Sequence, residues 1–247
     1  MKTLRVLSVD FDFFQNVDKD TLINGYPDGI DLPTGLSIIV WGGKYHSRYK
    51  YCNSIKSVEI SPMFYEMFDI LEKQDTDTPV LISQSHVNIY DFIHTHMEGY
   101  DAVSIINVDL HHDLFNDNPE LDCGNWLMHI SKDFSETTIH WITREVSLEC
   151  YGIKSDDDLC VEFNLDKIQD AYFDIIFFCR SDAWVPPHLD EYFDEIIQFC
   201  SNKFLNVLAN KSVLEPRDIS AIVEAEERLF EQWEVTKNAN NNSVAKQ

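Results

Sequence analysis

Residues 102–113 join a short, unbroken apolar run to a burst of metal-binding side chains, and this junction limits the fold more than any other stretch. Ala102-Val103-Ser104-Ile105-Ile106-Asn107 is β-branched and bounded, which reads as a buried strand of a parallel sheet. Polar residues begin where that strand ends, in Val108-Asp109-Leu110-His111-His112-Asp113. In open α/β sheets, ligands sit at the carboxyl ends of strands. Residues two apart in extended backbone point to the same side, so Asp109, His111 and Asp113 converge. Carboxylates with imidazole suit manganese, iron, nickel or zinc.

The pattern recurs. Leu4–Val9 reads as a strand that runs into Asp10-Phe11-Asp12. Two acids in an otherwise apolar run are costly to bury without a cation or donors, although one acid there is commonly a helix cap. Val80–Ser83 is another strand and leads into Gln84-Ser85-His86. A lone histidine is often a packing residue, but His86 stands at a third strand end. Asp174–Cys179 is a further buried strand and ends in Arg180-Ser181-Asp182.

Between these strands lie helical patterns. Met63–Glu72 places Phe64, Met67, Phe68 and Leu71 on one face; further helices are expected near 87–96, after Asn125, and near 189–204. Thr137–Ile142 reads as a strand, and Ser57–Pro62 as a short strand stopped by proline. Asp156–Asp158 reads as a solvated turn, and Pro216 as the first turn of a final helix. Residues 15–50 read as a long irregular connection, and its basic, aromatic part at 41–51 is a lid, a contact for the substrate chain or a solvated loop. Alternating strands and helices predict a three-layer α/β/α fold with a mostly parallel sheet. The expectation is one catalytic domain over residues 1–236 and a disordered, asparagine-rich tail at 237–247.

The 247 residues carry 43 acids against 19 bases, a formal net charge of −24. That argues against nonspecific nucleic-acid binding and suits metals or a basic substrate, unless it is only a solubilising surface. The six cysteines form no CxxC pair, and neither a signal peptide nor a long apolar segment stands out. A cytoplasmic protein with reduced thiols, bound neither to membrane nor to nucleic acid, is expected. Asp10, Asp12, His86, Asp109, His111 and Asp113 exceed what one catalytic ion needs and suit two ions sharing carboxylates. The chemistry such a pair supplies is hydrolysis by an activated water.

These residues resemble the arginase family of ureohydrolases. Asp109-x-His111-x-Asp113 resembles its central metal motif, His86 the metal-binding histidine one strand earlier, and Ser8-Val9-Asp10-Phe11-Asp12 its Ser-Phe-Asp-x-Asp motif. Gly124-Asn125, Val58–Pro62 and the strand ending Arg180-Ser181-Asp182 are similar to further family segments. The order differs, because the Asp-x-Asp strand and the strand resembling Glu-Val-Asn-Pro come first, as if circularly permuted. That order, with Gly124-Asn125-Trp126-Leu127, is similar to a divergent group that includes peptide arginases acting on ribosomally made precursor peptides.

The resemblance implies an arginase/deacetylase-like fold and two Mn2+ ions. One would be held by His86, Asp109, Asp113 and Asp10, the other by Asp109, His111, Asp10 and Asp12. It implies conversion of peptidyl arginine to ornithine with release of urea, and an arginine-containing precursor peptide as partner. A free guanidino compound or an amide is the alternative substrate. His129 or His46 is the candidate proton shuttle, because Leu127 stands where arginases carry a histidine; Glu59 is the candidate guanidinium carboxylate. Asn125 and Asp182 are candidate substrate contacts, and His112 a packing or supporting residue. A haloacid-dehalogenase-type phosphatase with Asp10 as nucleophile leaves Asp-x-His-x-Asp unexplained. A single-zinc deacetylase would not need both motifs, and a non-catalytic binding module would need no metal.

Overall fold

The computed structural model describes residues 2–27, 31–115, 118–151 and 159–244. The strands are β1 (Thr3–Asp10), β2 (Gln15–Asn16), β3 (Glu59–Ile60), β4 (Val80–Ser83), β5 (Ala102–Val108), β6 (Thr137–Ile142), β7 (Cys160–Glu162), β8 (Ile175–Cys179) and β9 (Val207–Ala209). The α-helices are α1 (Lys19–Gly25), α2 (Thr34–Gly42), α3 (Cys52–Lys56), α4 (Met63–Glu72), α5 (Asn88–His96), α6 (Trp126–Asp133), α7 (Glu145–Tyr151), α8 (Asp190–Lys203) and α9 (Ser220–Val244).

Seven strands form one sheet in the order β7-β6-β5-β1-β8-β4-β9, and every neighbouring pair in it is parallel. The register pairs Val9 with Val108 and with Phe178, so β1, β5 and β8 end side by side. From β1 the chain first moves to β4 on one side, then crosses back to β5 and on to β6 and β7. That reversal opens a crevice at the strand carboxyl ends.

Alternate side chains of the central strands serve two different cores. Leu7, Val9, Ile176 and Phe178 pack with Phe64, Met67 and Ile70 of α4 and Phe193 and Ile196 of α8. Leu4, Val6, Ile175 and Phe177 pack with Ile89, Phe92 and Ile93 of α5 and Trp126 and Ile130 of α6. Both faces of the sheet are therefore apolar, which is why these strands read as continuous hydrophobic runs. The result is a three-layer α/β/α fold around a parallel sheet.

A third cluster stands apart from both layers. Leu22, Tyr26, Trp41, Tyr45, Tyr51 and Ile55 pack around Leu110, just beyond β5. Ser37 Oγ and Trp41 Nε1, both on α2, donate to the carbonyl of Asp182 at 2.7 and 2.9 Å. This cap holds loops at the carboxyl ends of the strands.

Several expectations need correction. The stretch 15–50 is not irregular, since it contains α1 and α2. Residues 41–51 are not a solvated loop and do not line the cavity at the strand carboxyl ends: Trp41, Tyr45, His46 and Tyr51 are buried. The 57–62 strand pairs with β2 in a separate antiparallel pair, not with the main sheet. Pro216 precedes the final helix, which starts at Ser220 and continues through the asparagine-rich segment to Val244. The turn at 156–158 lies outside the described residues. No helix of the described residues is long and apolar enough to cross a membrane.

Candidate metal centre

Asp10 ends β1 and caps a 3-10 turn, its Oδ1 accepting from the backbone N–H of Asp12 at 3.1 Å. That turn aims Asp12 back over the sheet, where its Oδ1 accepts from the N–H of Leu110 at 3.2 Å. Asp109 Oδ1 accepts from the N–H of His111 at 2.7 Å, and Trp141 Nε1 donates to the Asp109 carbonyl at 3.0 Å. Asp113 has φ of 51°, a left-handed conformation that Asp tolerates better than most residues. This bend belongs to the turn that holds Asp113 beside His86, and Trp126 Nε1 fixes Asp113 Oδ2 at 2.6 Å.

These constraints bring side chains from three strand ends together. His86 Nδ1 lies 3.2 Å from carboxylate oxygens of Asp10, Asp109 and Asp113 alike. One ring N–H cannot serve three acceptors, and the hydrogen bond of His86 is made by the other nitrogen, with Ser8 Oγ at 2.7 Å. When Nε2 donates to Ser8, Nδ1 presents a lone pair to the carboxylates. His111 Nδ1 lies 3.1 Å from Asp12 Oδ2 and 3.5 Å from Asp109 Oδ1. Asp12 Oδ2 is nonetheless buried with no hydrogen bond of acceptable geometry. Atoms that approach this closely without pointing at each other are arranged around a common point. Ligands about 2.2 Å from one ion and at right angles to each other lie about 3.1 Å apart, so the spacing fits shared coordination.

Asp10, His86 and Asp109 form one group able to hold an ion; Asp12, Asp109 and His111 form a second, and Asp109 belongs to both. All six predicted ligands, Asp113 among them, are buried at this edge. As protein groups alone they share protons unevenly. Burial works against charge on His86, but Asp113, Asp10 and Asp109 together hold its imidazole well above the ordinary range. His111 behaves alike, burial being outweighed by Asp12 and Asp109. Burial, then the neighbouring carboxylates, pushes Asp12 and Asp113 up. Asp109 stays low in spite of burial because both histidines stabilise its charge. Divalent ions compete with such protons, so their affinity falls as the pH is lowered.

The ligands open onto a cavity of about 630 Å³ whose wall includes Asp10, His86, His111 and Asp113. Asp31, Ser85, Tyr151 and Trp184 also line it. Among the described residues no lysine or arginine lines it.

The remaining candidates lie elsewhere. Asp182 is fully buried, and its two oxygens are taken by Arg180 at 2.6 and 3.1 Å, so it is a structural ion-pair partner rather than a substrate contact. Asn125 organises the 118–125 loop: its oxygen accepts from the N–H of Asp122 and its amide donates to the carbonyls of Asn118 and Glu120. Glu59 is exposed on β3 and does not line the cavity. His46 stacks on Phe230 with ring centroids 4.9 Å apart, while His129 sits on α6 near Tyr90; neither reaches the cavity. His112 packs beside Phe115 and accepts from the N–H of Leu114. Asp31, Tyr151 and Trp184 went unnoticed in the sequence because each comes from a connection or short helix with no motif of its own.

No protein-family profile, curated protein or solved structure matches this chain.

Proposed function

We propose that this protein is a two-metal hydrolase that converts arginine within a peptide to ornithine and releases urea, with Mn2+ as its ion. The observation that carries the reading is the pair of Asp/His groups that share Asp109 at one end of a cavity. His86, Asp10, Asp109 and Asp113 would hold one ion, and Asp12, Asp109 and His111 the other, with Asp10 as a further shared ligand. When bound, such a pair supplies a nucleophile near neutral pH and a fixed positive field. The protein's part is to hold the carboxylates with hydrogen bonds from Trp126, Asn107 and backbone N–H groups.

The charge of the cavity supports a cationic substrate. With the ligand carboxylates balanced by two divalent ions, Asp31 and Asp122 remain as acidic side chains of its wall, and no described lysine or arginine lines it. The phosphatase alternative needs Asp10 as a nucleophile and gives no part to the gathered His86, His111 and Asp113, which speaks against it. Two ligand groups speak against a single-zinc deacetylase. A volume of about 630 Å³ suits a long side chain, and the net charge of −24 favours encounter with a basic peptide. The resemblance to the divergent peptide arginases points the same way.

The test is mass spectrometry of an arginine-containing peptide incubated with manganese-loaded protein, with a urea assay alongside. Loss of a cyanamide equivalent at arginine, matched by urea and abolished in Asp109→Ala, is the expected result. Turnover of free arginine with peptides ignored would move the substrate to a free guanidine. Protein that binds no metal would overturn the reading.

A further inference from the structure

We propose that Asp31 is the residue that selects a cationic substrate, its carboxylate receiving the substrate's planar guanidinium in the cavity; this rests on the hydrolase reading above. Asp31 lies two residues before the N-cap of α2 and lines the cavity. Its Oδ2 accepts a short hydrogen bond from Ser85 Oγ. Ser85 directly precedes His86, so the carboxylate is tied to the same strand end that supplies a metal ligand.

Charge counting isolates this residue. Asp10, Asp12, Asp109 and Asp113 carry four negative charges, which two divalent ions balance. Asp122 also lines the cavity, but its oxygens accept from the N–H of Gly124 at 2.9 Å and from Asn118 Nδ2 at 2.8 Å. Asp31 is left with one neutral hydroxyl as its hydrogen-bond partner among the described residues. Burial disfavours its ionised form, and the Ser85 hydroxyl offsets only part of that. A carboxylate so placed is stabilised by a cation, and no described lysine or arginine lines the cavity to provide one.

The rest of the cavity suits a planar cation. Trp184 and Tyr151 lie with ring centroids 4.6 and 4.5 Å from that of His111, and both line the cavity. Aromatic faces stack on guanidinium, and a carboxylate accepts two parallel N–H donors from it. His111 Nε2 is buried in the same wall with no hydrogen-bond partner of acceptable geometry, so the wall is built for a polar ligand. Glu59, the carboxylate suggested by sequence, is exposed on another sheet and does not line the cavity.

The experiment compares metal-loaded wild type, Asp31→Asn and Asp31→Glu for binding an arginyl peptide and its neutral citrullyl isostere by calorimetry. Urea release and metal content are measured on the same samples. Wild type is expected to prefer the arginyl peptide by about 100-fold, the scale set by leaving one partner of a buried charged pair alone. Asp31→Asn should lose that preference to within about threefold while it keeps its metal, and Asp31→Glu should retain most of it. If wild type releases urea and Asp31→Asn does so with unchanged KM, the inference falls and the hydrolase reading stands. If wild type releases no urea but its arginyl preference vanishes in Asp31→Asn, the hydrolase reading falls and the inference stands. Equal binding of both peptides by wild type, or of neither, overturns the inference. A structural role for Asp31 would alter metal content or folding and leave the arginyl-to-citrullyl ratio unchanged.

Discussion

Ser8 and Trp126 touch no ion in the proposed centre, yet each fixes a ligand that would. Ser8 Oγ pairs with His86 Nε2, which decides the nitrogen that faces the carboxylates, and Trp126 Nε1 holds Asp113 Oδ2. Partners of this kind change metal affinity about 10- to 100-fold. Ser8→Ala and Trp126→Phe are each expected to weaken Mn2+ binding by about that factor, read by competition with a chelator, with little change in far-ultraviolet circular dichroism. Affinity unchanged in both variants would show that the hydrogen bonds are incidental. His188 sets a separate pH dependence away from the metals. Burial first of all lowers its pKa, and the neutral ring bridges Tyr45 Oη and the carbonyl of Val58. The unfolded chain therefore binds this proton more readily, and stability falls as pH drops below about 6.5, the ordinary histidine value. Metal-loaded wild type should lose more stability between pH 7.5 and 5.5 than His188→Gln does, as measured by urea denaturation; equal losses would remove His188 from the account.

Helix α2 meets α9 at Gly42, where a Cβ would come within 2.5 Å of Ile222 side-chain atoms. Ile222 is branched at its own Cβ and cannot swing aside, so Gly42→Ala should destabilise the protein by about 1–3 kcal/mol through overpacking. Metal content should be unaffected, and a midpoint equal to wild type in urea would mean that the two helices separate freely. The same scale explains what the sequence revealed. Strands β1, β4, β5 and β8 were legible because a strand covered on both faces writes a nearly continuous apolar run, and β6 because Thr137, Thr138, Ile139 and Ile142 are β-branched. Helix α4 was legible because ten residues complete nearly three turns of one buried face. Short elements escaped: β7 and β9 have three residues each, and α1 and α7 have seven, too few for a period to show against turn residues. The beginning of α9 was misplaced because Pro216 looks like a first-turn residue, whereas Arg217 beside it is buried against Asp190 and the Asp182 carbonyl. Within the site, the ligand candidates were visible because clustered Asp and His in apolar context are uncommon. The cavity wall was not, because Asp31, Tyr151 and Trp184 meet only after the cap has folded over the sheet.

At the scale of the whole molecule the proposed centre would act as a clasp. Its candidate ligands come from the ends of β5, β1 and β4, the third, fourth and sixth strands across the seven-stranded sheet, which are separated in the chain. The unfolded chain would hold no preformed site, so the free energy of metal binding would become folding free energy. The metal-free chain has a net charge of −24, and two divalent ions would offset four of those charges at a buried place. A ligand present at 100 times its Kd adds about 2.7 kcal/mol per site, and for a chain of this size each kcal/mol moves Tm by about 2–4 °C. Stripping both ions from loaded protein should therefore lower Tm by roughly 10 °C or more, with recovery on adding Mn2+. Asp109→Asn removes the carboxylate common to both groups and should respond to neither chelator nor Mn2+. A wild-type Tm that ignores chelation would mean that the six buried residues settle their charges through shared protons alone. The close approach of His86 to three carboxylates would then be a feature of packing, and the proposed chemistry would lose its foundation.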